Sequence, residues 1–166
     1  MQQLAGPIKY QEWNLDTAQM SVQEFRDRTG GVMLALHKLQ QIFGYVDDSA
    51  MPMLGKVFNL SRAEIHGVKS FYHDFKSSKP GKYTLKVCQA EACQAMGSQK
   101  LTEDIKAFLK VDFHETTDSG DFTLEPVYCL GNCASSPNIM IDNETYGRVS
   151  IEGFKTLADA LSKEAV

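Results

Sequence analysis

Four cysteines constrain this chain more than any other feature. Cys88-Gln89-Ala90-Glu91-Ala92-Cys93 and Cys129-Leu130-Gly131-Asn132-Cys133 form one Cys-x4-Cys and one Cys-x3-Cys segment, and between them they hold every cysteine in the sequence. Each segment opens where a strand pattern stops. Tyr83, Leu85 and Val87 alternate with Thr84 and Lys86 and run directly into Cys88, and the Phe122 to Tyr128 stretch runs in the same way into Cys129. If those strands are neighbours pointing the same way, both loops stand at one end of a sheet and four thiols are brought together.

Three chemistries compete for such a set. A [2Fe-2S] cluster needs four thiolates, two for each iron, and two short loops each clamping one iron meet that need. A structural zinc ion also accepts four cysteines, but its usual knuckles have Cys-x2-Cys spacing and often basic neighbours. Thiol-disulfide exchange normally uses Cys-x-x-Cys, which this sequence lacks. Loop composition moves the balance toward iron and sulfur. Cys129 to Asn138 carries no charge and mostly small side chains, so backbone N–H groups can come close to sulfur. Gly131 can adopt a positive φ that aims successive amides inward, and Pro137 stiffens the exit. Each of these residues taken singly is an ordinary loop former, and only the ensemble points to a site. Glu91 is read as solvated and not as a ligand.

Composition narrows the remaining classes. The 166 residues suit one domain, or a compact domain with a helical extension. Seventeen Lys and Arg against twenty-one Asp and Glu give a net charge of -4, without the basic excess that nucleic-acid binding demands. The longest strongly apolar stretch, Val32 to Leu36, falls far short of the roughly 18 to 20 residues that cross a bilayer, so no membrane insertion is expected. Met1 to Pro7 has neither the basic start nor the apolar core of a signal peptide. A cytoplasmic, reducing setting is the expectation, and in it these cysteines stay free thiols.

Helical periodicity fills the chain to about residue 78, and alternation with turns fills 82 to 150. The change falls at Ser77-Ser78-Lys79-Pro80-Gly81. Residues 1–79 are therefore expected as a helical subdomain and 80–166 as an α/β domain, with the first dozen residues, including Pro7, as a loosely held arm. Val32, Leu36, Leu39 and Phe43 mark a helix ending at Gly44. Met53, Leu54, Val57 and Phe58 mark a second, capped by Asp48 or Ser49 and stopped by Asn59. Ser61-Arg62-Ala63-Glu64 is a capping box opening a third, whose Ile65 and Phe71 faces predict packing on two sides. After the first cysteine loop, Leu101, Ile105, Phe108 and Leu109 predict a helix from Ser98 to Lys110. Val111 to Glu115 and Phe122 to Tyr128 read as a hairpin about Thr117 to Asp121, with Pro126 marking an edge strand. Short strands at Asn138 to Ile141 and Tyr146 to Val149 precede a final helix with Phe154, Leu157, Ala158 and Leu161 on one face. This order fits a small α/β sandwich of thioredoxin type.

The remaining candidate residues read as structural. His37, His66, His73 and His114 share no ligand spacing with the cysteines, the Asp47-Asp48 and Asp118 to Asp121 acids are turn formers, and Trp13 is read as covering the domain's own surface.

At the cysteine loops the sequence resembles the thioredoxin-like [2Fe-2S] ferredoxin family, represented by the small flavin-module subunit of respiratory complex I and by matching subunits of NAD-linked hydrogenases and formate dehydrogenases. The resemblance extends over Leu39 to Val46, Asn59 to Val68, Phe71 to Phe75, both cysteine pairs and Val127 to Pro137. Residues before Gly31 depart from the pattern. Ser61 to Val68, Tyr72 to Phe75 and Glu91 to Gln94 look most like the gamma subunit of soluble, molybdenum-dependent, NAD-linked formate dehydrogenase. The resemblance implies an electron-transfer subunit in which Cys88 and Cys93 hold one iron and Cys129 and Cys133 the other. It also implies a beta-type partner carrying FMN, NAD and iron-sulfur groups, and a larger subunit with molybdenum cofactor. No Gly-x-Gly-x-x-Gly or Walker-type loop is present, so hydride chemistry is expected on the partner.

Overall fold

A computed structural model of the chain describes residues 9–163, which divide along the sequence into two compact units, one ending at Lys79 and the other starting at Pro80. The expectation of a loosely held arm lies, for residues 1–8, outside the described residues.

The first unit contains α1 (Leu15–Val22), α2 (Gly31–Phe43), α3 (Ala50–Phe58) and α4 (Arg62–Phe71). The periodicity missed α1, because only Ala18 and Val22 on it are buried. Its sequence signal is Asn14, whose side-chain oxygen accepts the Thr17 N–H at 2.9 Å. Gly44 ends α2 at φ 82° and Asn59 ends α3 at φ 53°, as expected. Neither Asp48 nor Ser49 caps α3 with its side chain; Asp47 Oδ1 accepts the Ser49 N–H at 2.8 Å instead. Asp48 is also more than a turn former, since it accepts a hydrogen bond from Lys69 Nζ at 2.8 Å.

The capping box of α4 is reciprocal, with Glu64 N–H donating to Ser61 Oγ at 3.2 Å and Ser61 N–H donating to Glu64 Oε2 at 2.8 Å. α4 packs against α3 and α2, but its Phe71 face is left uncovered. Ile65 is buried, whereas Phe71 is 73% exposed and Tyr72 is exposed beside it. Leu36, Leu39, Phe43, Met51, Leu54 and Ile65 form the centre of the core. Trp13 covers its own unit, lying 4.7 Å from the Phe43 ring and donating from Nε1 to Ser49 Oγ at 3.1 Å.

The second unit contains β1 (Tyr83–Cys88), α5 (Glu91–Ala95), α6 (Ser98–Leu109), β2 (Phe122–Val127), β3 (Ile139–Ile141), β4 (Glu144–Tyr146) and α7 (Ile151–Lys163). The sheet order is β2-β1-β3-β4; β1 and β2 are parallel, and β3 is antiparallel to both of its neighbours. Tyr83, Leu85 and Val87 on the buried face of β1 share one core with Leu101 and Ile105 of α6 and Phe154, Ala158 and Leu161 of α7. A buried Val, Leu, Ile or Phe side chain contributes about 1.5–3 kcal/mol, so this face fixes the register of β1 and with it the position of Cys88. β2 forms one edge of the sheet, where Pro126 is tolerated without an N–H to give.

The hairpin expected before β2 forms only in part: its turn closes with Thr117 N–H donating to Phe122 O at 2.9 Å, but the arm before the turn is not a regular strand. Asp112 Oδ1 turns back to accept the Phe113 N–H at 2.6 Å, and His114 sits at φ 69°. Neither conformation continues a pleated strand. The segment lines the outer edge of β2 irregularly, with His114 N–H donating to Leu124 O at 2.7 Å, Leu124 N–H donating to Glu115 O at 2.9 Å and one antiparallel bridge between Thr116 and Thr123. β4 also sits earlier than expected. Asp142 at φ 51° makes the turn tight and pairs Ile141 with Glu144, and the left-handed backbone of Arg148, at φ 52°, prevents the strand from running on to Val149. Among the described residues no helix is long and apolar enough to cross a membrane.

Candidate metal centre

The parallel register of β1 and β2 places Cys88 opposite Val127, so the loops after the two strands leave the same end of the sheet. Gln89 N–H donates to Val127 O at 2.8 Å, and Cys88 N–H donates to Asn138 O at 3.1 Å. The first cysteine loop is thus tied by its backbone to both the entry and the exit of the second.

In the first loop, Cys88 ends β1 and Cys93 lies in the single turn of α5, a turn too short for periodicity to reveal; both residues are buried. Gln94 Nε2 donates to Gln89 O at 2.7 Å and Gln89 Nε2 donates to Thr102 Oγ1 at 2.8 Å, bracing the loop against α6. Around Cys93 Sγ stand Asn138 Nδ2 at 3.4 Å, which donates to it, and Ser136 Oγ at 3.4 Å. Burial works to push the Cys93 thiol up. Hydrogen bonding with Ser136, Asn138 and Cys88 outweighs it and holds the group below the ordinary thiol range.

The second loop is built by two left-handed residues, Cys129 at φ 105° and Gly131 at φ 75°. They curl the chain so that Gly131 N–H donates to Cys129 Sγ at 3.4 Å and Cys129 Sγ lies 3.8 Å from Cys133 Sγ. Both cysteines are exposed, and Tyr128 beside them is 76% exposed. Hydrogen bonding to Cys129 and its charge push the Cys133 thiol up, with burial and the charges of Cys93 and Cys88 adding to the effect. Ser136 stands between the two pairs, with its Oγ 3.4 Å from Cys93 Sγ and hydrogen-bonded to Cys133 O.

Several residues outside the cysteine segments hold this arrangement, through side-chain contacts that loop composition alone does not disclose. Asn138 is 1% exposed; it donates to Asn132 O at 2.9 Å and accepts from Asn132 Nδ2 at 3.0 Å. Ser136 donates to Cys133 O at 2.8 Å. Arg148 N–H to Ser135 O at 2.6 Å and Val149 N–H to Pro137 O at 3.1 Å anchor the exit. At Gly147 a Cβ would meet Ser135 Cβ at 2.6 Å, so only glycine lets the two segments approach this closely. The available signal was Asn138 itself, a polar residue opening the apolar run Ile139-Met140-Ile141.

All four cysteines are free. Among the described residues, no group of three or more His, Cys, Asp or Glu side chains gathers tightly enough for one metal ion; the sulfurs lie as two pairs. The donor chemistry fits a [2Fe-2S] cluster: two neighbouring dithiols, with N–H groups of Asn138 and Gly131 directed at sulfur, where they offset anionic charge. Among the described residues no histidine joins a metal-ligating group. His37, His66 and His73 belong to the first unit and are exposed, and His114 lies 2.6 Å from Glu125 at the β2 edge. Glu91 is exposed.

The thioredoxin-like [2Fe-2S] ferredoxin family model matches residues 18–162. An NADH-quinone oxidoreductase subunit from Pseudomonas aeruginosa is 33% identical over 136 residues, covering 82% of this chain and 82% of that protein. The HndA subunit of the NADP-reducing hydrogenase from Solidesulfovibrio fructosivorans is 31% identical over 129 residues, covering 78% of this chain and 75% of that protein. Among solved structures, an NAD+-reducing [NiFe]-hydrogenase in the air-oxidized state matches with a TM-score of 0.68 at 22% identity, over 84% of this chain and 24% of that one. This last is a likeness of fold.

Proposed function

Since this chain belongs to the thioredoxin-like [2Fe-2S] ferredoxin family, we propose that it is the small electron-transfer subunit of an NAD-linked oxidoreductase assembly, with Cys88 and Cys93 holding one iron of its [2Fe-2S] cluster and Cys129 and Cys133 the other. One observation carries this reading: the parallel pairing of β1 with β2 brings two dithiol loops to one end of one sheet. When bound, such a cluster accepts and releases one electron at a time. The chain's own residues set its surroundings. Asn138 and Gly131 direct N–H groups at Cys93 and Cys129, burial of Cys88 and Cys93 excludes water from one side, and exposure of Cys129 and Cys133 leaves the other side open.

We infer further that the assembly is a soluble, cytoplasmic, molybdenum-dependent formate dehydrogenase that oxidises formate to CO2 and reduces NAD+. This chain is its gamma-type subunit, with residues 1–79 and 80–166 as its two domains. Ser61 to Val68, Tyr72 to Phe75 and Glu91 to Gln94 support that reading. A cluster of this kind does not exchange hydride with nicotinamide, whereas a flavin does and then passes single electrons on. The partners are therefore a beta-type subunit with FMN and NAD and a larger subunit with molybdenum cofactor. A second reading, the equivalent subunit of NADH-quinone oxidoreductase or of a hydrogenase, is favoured by the names of the Pseudomonas and Solidesulfovibrio relatives.

Three measurements decide. Purified protein should be coloured, with two iron atoms and two acid-labile sulfides per chain; colourless protein holding zinc and no sulfide makes it a zinc-stabilised binding module. Alanine at Cys88, Cys93, Cys129 or Cys133 should abolish or damage the cluster spectrum, and an unchanged spectrum removes that cysteine from the ligand set. Tagged protein should co-purify with a flavoprotein and a molybdenum protein. Recovery with membrane quinone-reductase subunits, and no molybdenum, refutes the formate assignment.

A further inference from the structure

The two cysteine pairs differ in one respect that the cluster role does not require. Cys88 and Cys93 are 2% and 1% exposed and closed off by Ser136 and Asn138, whereas Cys129 and Cys133 are open to solvent with their sulfurs 3.8 Å apart. That separation is held from outside the pair. Left-handed backbone at Cys129 and Gly131 folds the loop, Gly131 N–H fixes Cys129 Sγ, and the bonds from Arg148 and Val149 to Ser135 and Pro137 pin the exit. A small disulfide-bearing molecule can reach this pair and not the other.

We propose that Cys129 and Cys133 form a reversible redox gate on cluster loading: in the metal-free chain they close to an intramolecular disulfide under low-molecular-weight disulfides, while Cys88 and Cys93 stay reduced. The gating half of this proposal rests on the reading of all four cysteines as ligands; the disulfide half stands on loop geometry alone. The reaction balances as a thiol-disulfide exchange. The Cys129 thiolate, whose sulfur accepts the Gly131 amide, attacks one sulfur of the small disulfide and expels the first small thiolate. The Cys133 thiolate then attacks Cys129 Sγ, the mixed S–S bond breaks, and the second small thiolate leaves. Two protein thiols are oxidised to one disulfide, one small disulfide is reduced to two thiols, and the two protons pass to the departing thiolates. With two of its four ligands tied together, the chain cannot take up both irons until a thiol reductant reverses the exchange.

Trypsin separates the two pairs, since residues 87–100 carry Cys88 and Cys93 and residues 111–148 carry Cys129 and Cys133 with no internal Lys or Arg. The full metal-free reduced chain is incubated anaerobically with oxidised glutathione, blocked with an alkylating agent under denaturing conditions, digested and weighed. The 111–148 peptide should lose two hydrogen atoms and resist alkylation, while 87–100 is alkylated at both cysteines. In Cys133→Ser the exchange should stop at a stable glutathione adduct on Cys129, which shows the route without requiring the wild-type disulfide. Stable adducts in the wild type without closure, or equal oxidation of the 87–100 peptide, overturn the proposal. Iron and sulfide are then added and the visible spectrum followed. The oxidised chain should load no more cluster than Cys133→Ser, and dithiothreitol should restore loading. Full loading of the oxidised chain overturns the gate. A reduced chain that forms the disulfide normally yet loads no cluster overturns the ligand reading, and the gate with it, while leaving the dithiol chemistry intact.

Discussion

The Asn138 side chain reaches from the residue before β3 to Cys93, donating to its sulfur at 3.4 Å while exchanging two further hydrogen bonds with Asn132 in the other cysteine loop. One buried amide therefore couples the sulfur of one pair to the backbone of the other. An N–H directed at a ligand sulfur favours the more negative, reduced form of a cluster. Asn138→Leu, similar in size and without a donor, should retain the cluster and lower its reduction potential by up to ~59 mV, one decade in a one-electron equilibrium. A potentiometric titration followed by electron paramagnetic resonance reads the shift. An unmoved potential would show that the contact has no electronic consequence.

Ser136 serves both pairs with one proton. Its Oγ lies 3.4 Å from Cys93 Sγ and donates to Cys133 O at 2.8 Å, so it cannot serve the sulfur and the carbonyl together. Ser136→Ala should therefore shift the potential less than Asn138→Leu. The double variant should depart from additivity, because Ser136 and Asn138 address the same sulfur. Strictly additive shifts in the same titration would show that the two side chains act independently.

Gly147 permits the close approach that pins the second loop. An added Cβ meets Ser135 Cβ at 2.6 Å, Ser135 O at 2.8 Å and Asn132 Nδ2 at 2.9 Å, two of them on a segment already held by backbone bonds. Gly147→Ala should cost about 1–3 kcal/mol of overpacking strain and speed the loss of iron to a chelator. Gly153, in α7, is the control. There the nearest atom to an added Cβ is Ser150 Oγ at an ordinary 3.5 Å, so Gly153→Ala should be neutral or stabilising by about 1 kcal/mol. Equal chelator rates for the two variants would dissociate Gly147 from the metal centre.

The range of an interaction decides whether the sequence discloses it. The capping box at Ser61 and Glu64, the end of α2 at Gly44 and the alternation that carries β1 into Cys88 are local devices, decided within a few residues and readable from them. The same local pattern led the first arm of the hairpin to be read as a regular strand. Val111 to Glu115 alternates like a strand, but Asp112 caps its own turn and β2 takes β1 as its partner, a pairing across about forty residues that no local window contains. The cysteine loops were legible because the spacing is itself the signal. Their supports were not, since Asn138, Ser136 and Gly147 act only through segments brought together by the sheet. The weak stripe of α1 left Asn14 as its sole cue.

A last prediction concerns the helical unit, where Lys69 is 5% exposed and its partner Asp48 is 74% exposed. The hydrogen bond from Lys69 and its positive charge hold the Asp48 carboxyl below the usual carboxylate range, against a small opposing effect of burial and with help from His66 and Arg62. A carboxyl depressed on folding adds stability that is fully present above its unfolded value of about 3.9 and is lost as pH falls through the lower folded value. Asp48→Asn should therefore destabilise the unit by about 1 kcal/mol at neutral pH, since one partner lies in solvent. The gap from wild type should begin to narrow as pH falls below about 4 and vanish only beneath the lower folded value, where the wild-type carboxylate is itself protonated in the folded unit. Lys69→Met should cost less, because it removes the buried ammonium and keeps the apolar stem. Trp13 is the only tryptophan in the chain and packs in this unit, so urea unfolding followed by its fluorescence reports the effect directly. A gap that persists unchanged at acid pH would show that Asp48 acts through packing and not through its charge.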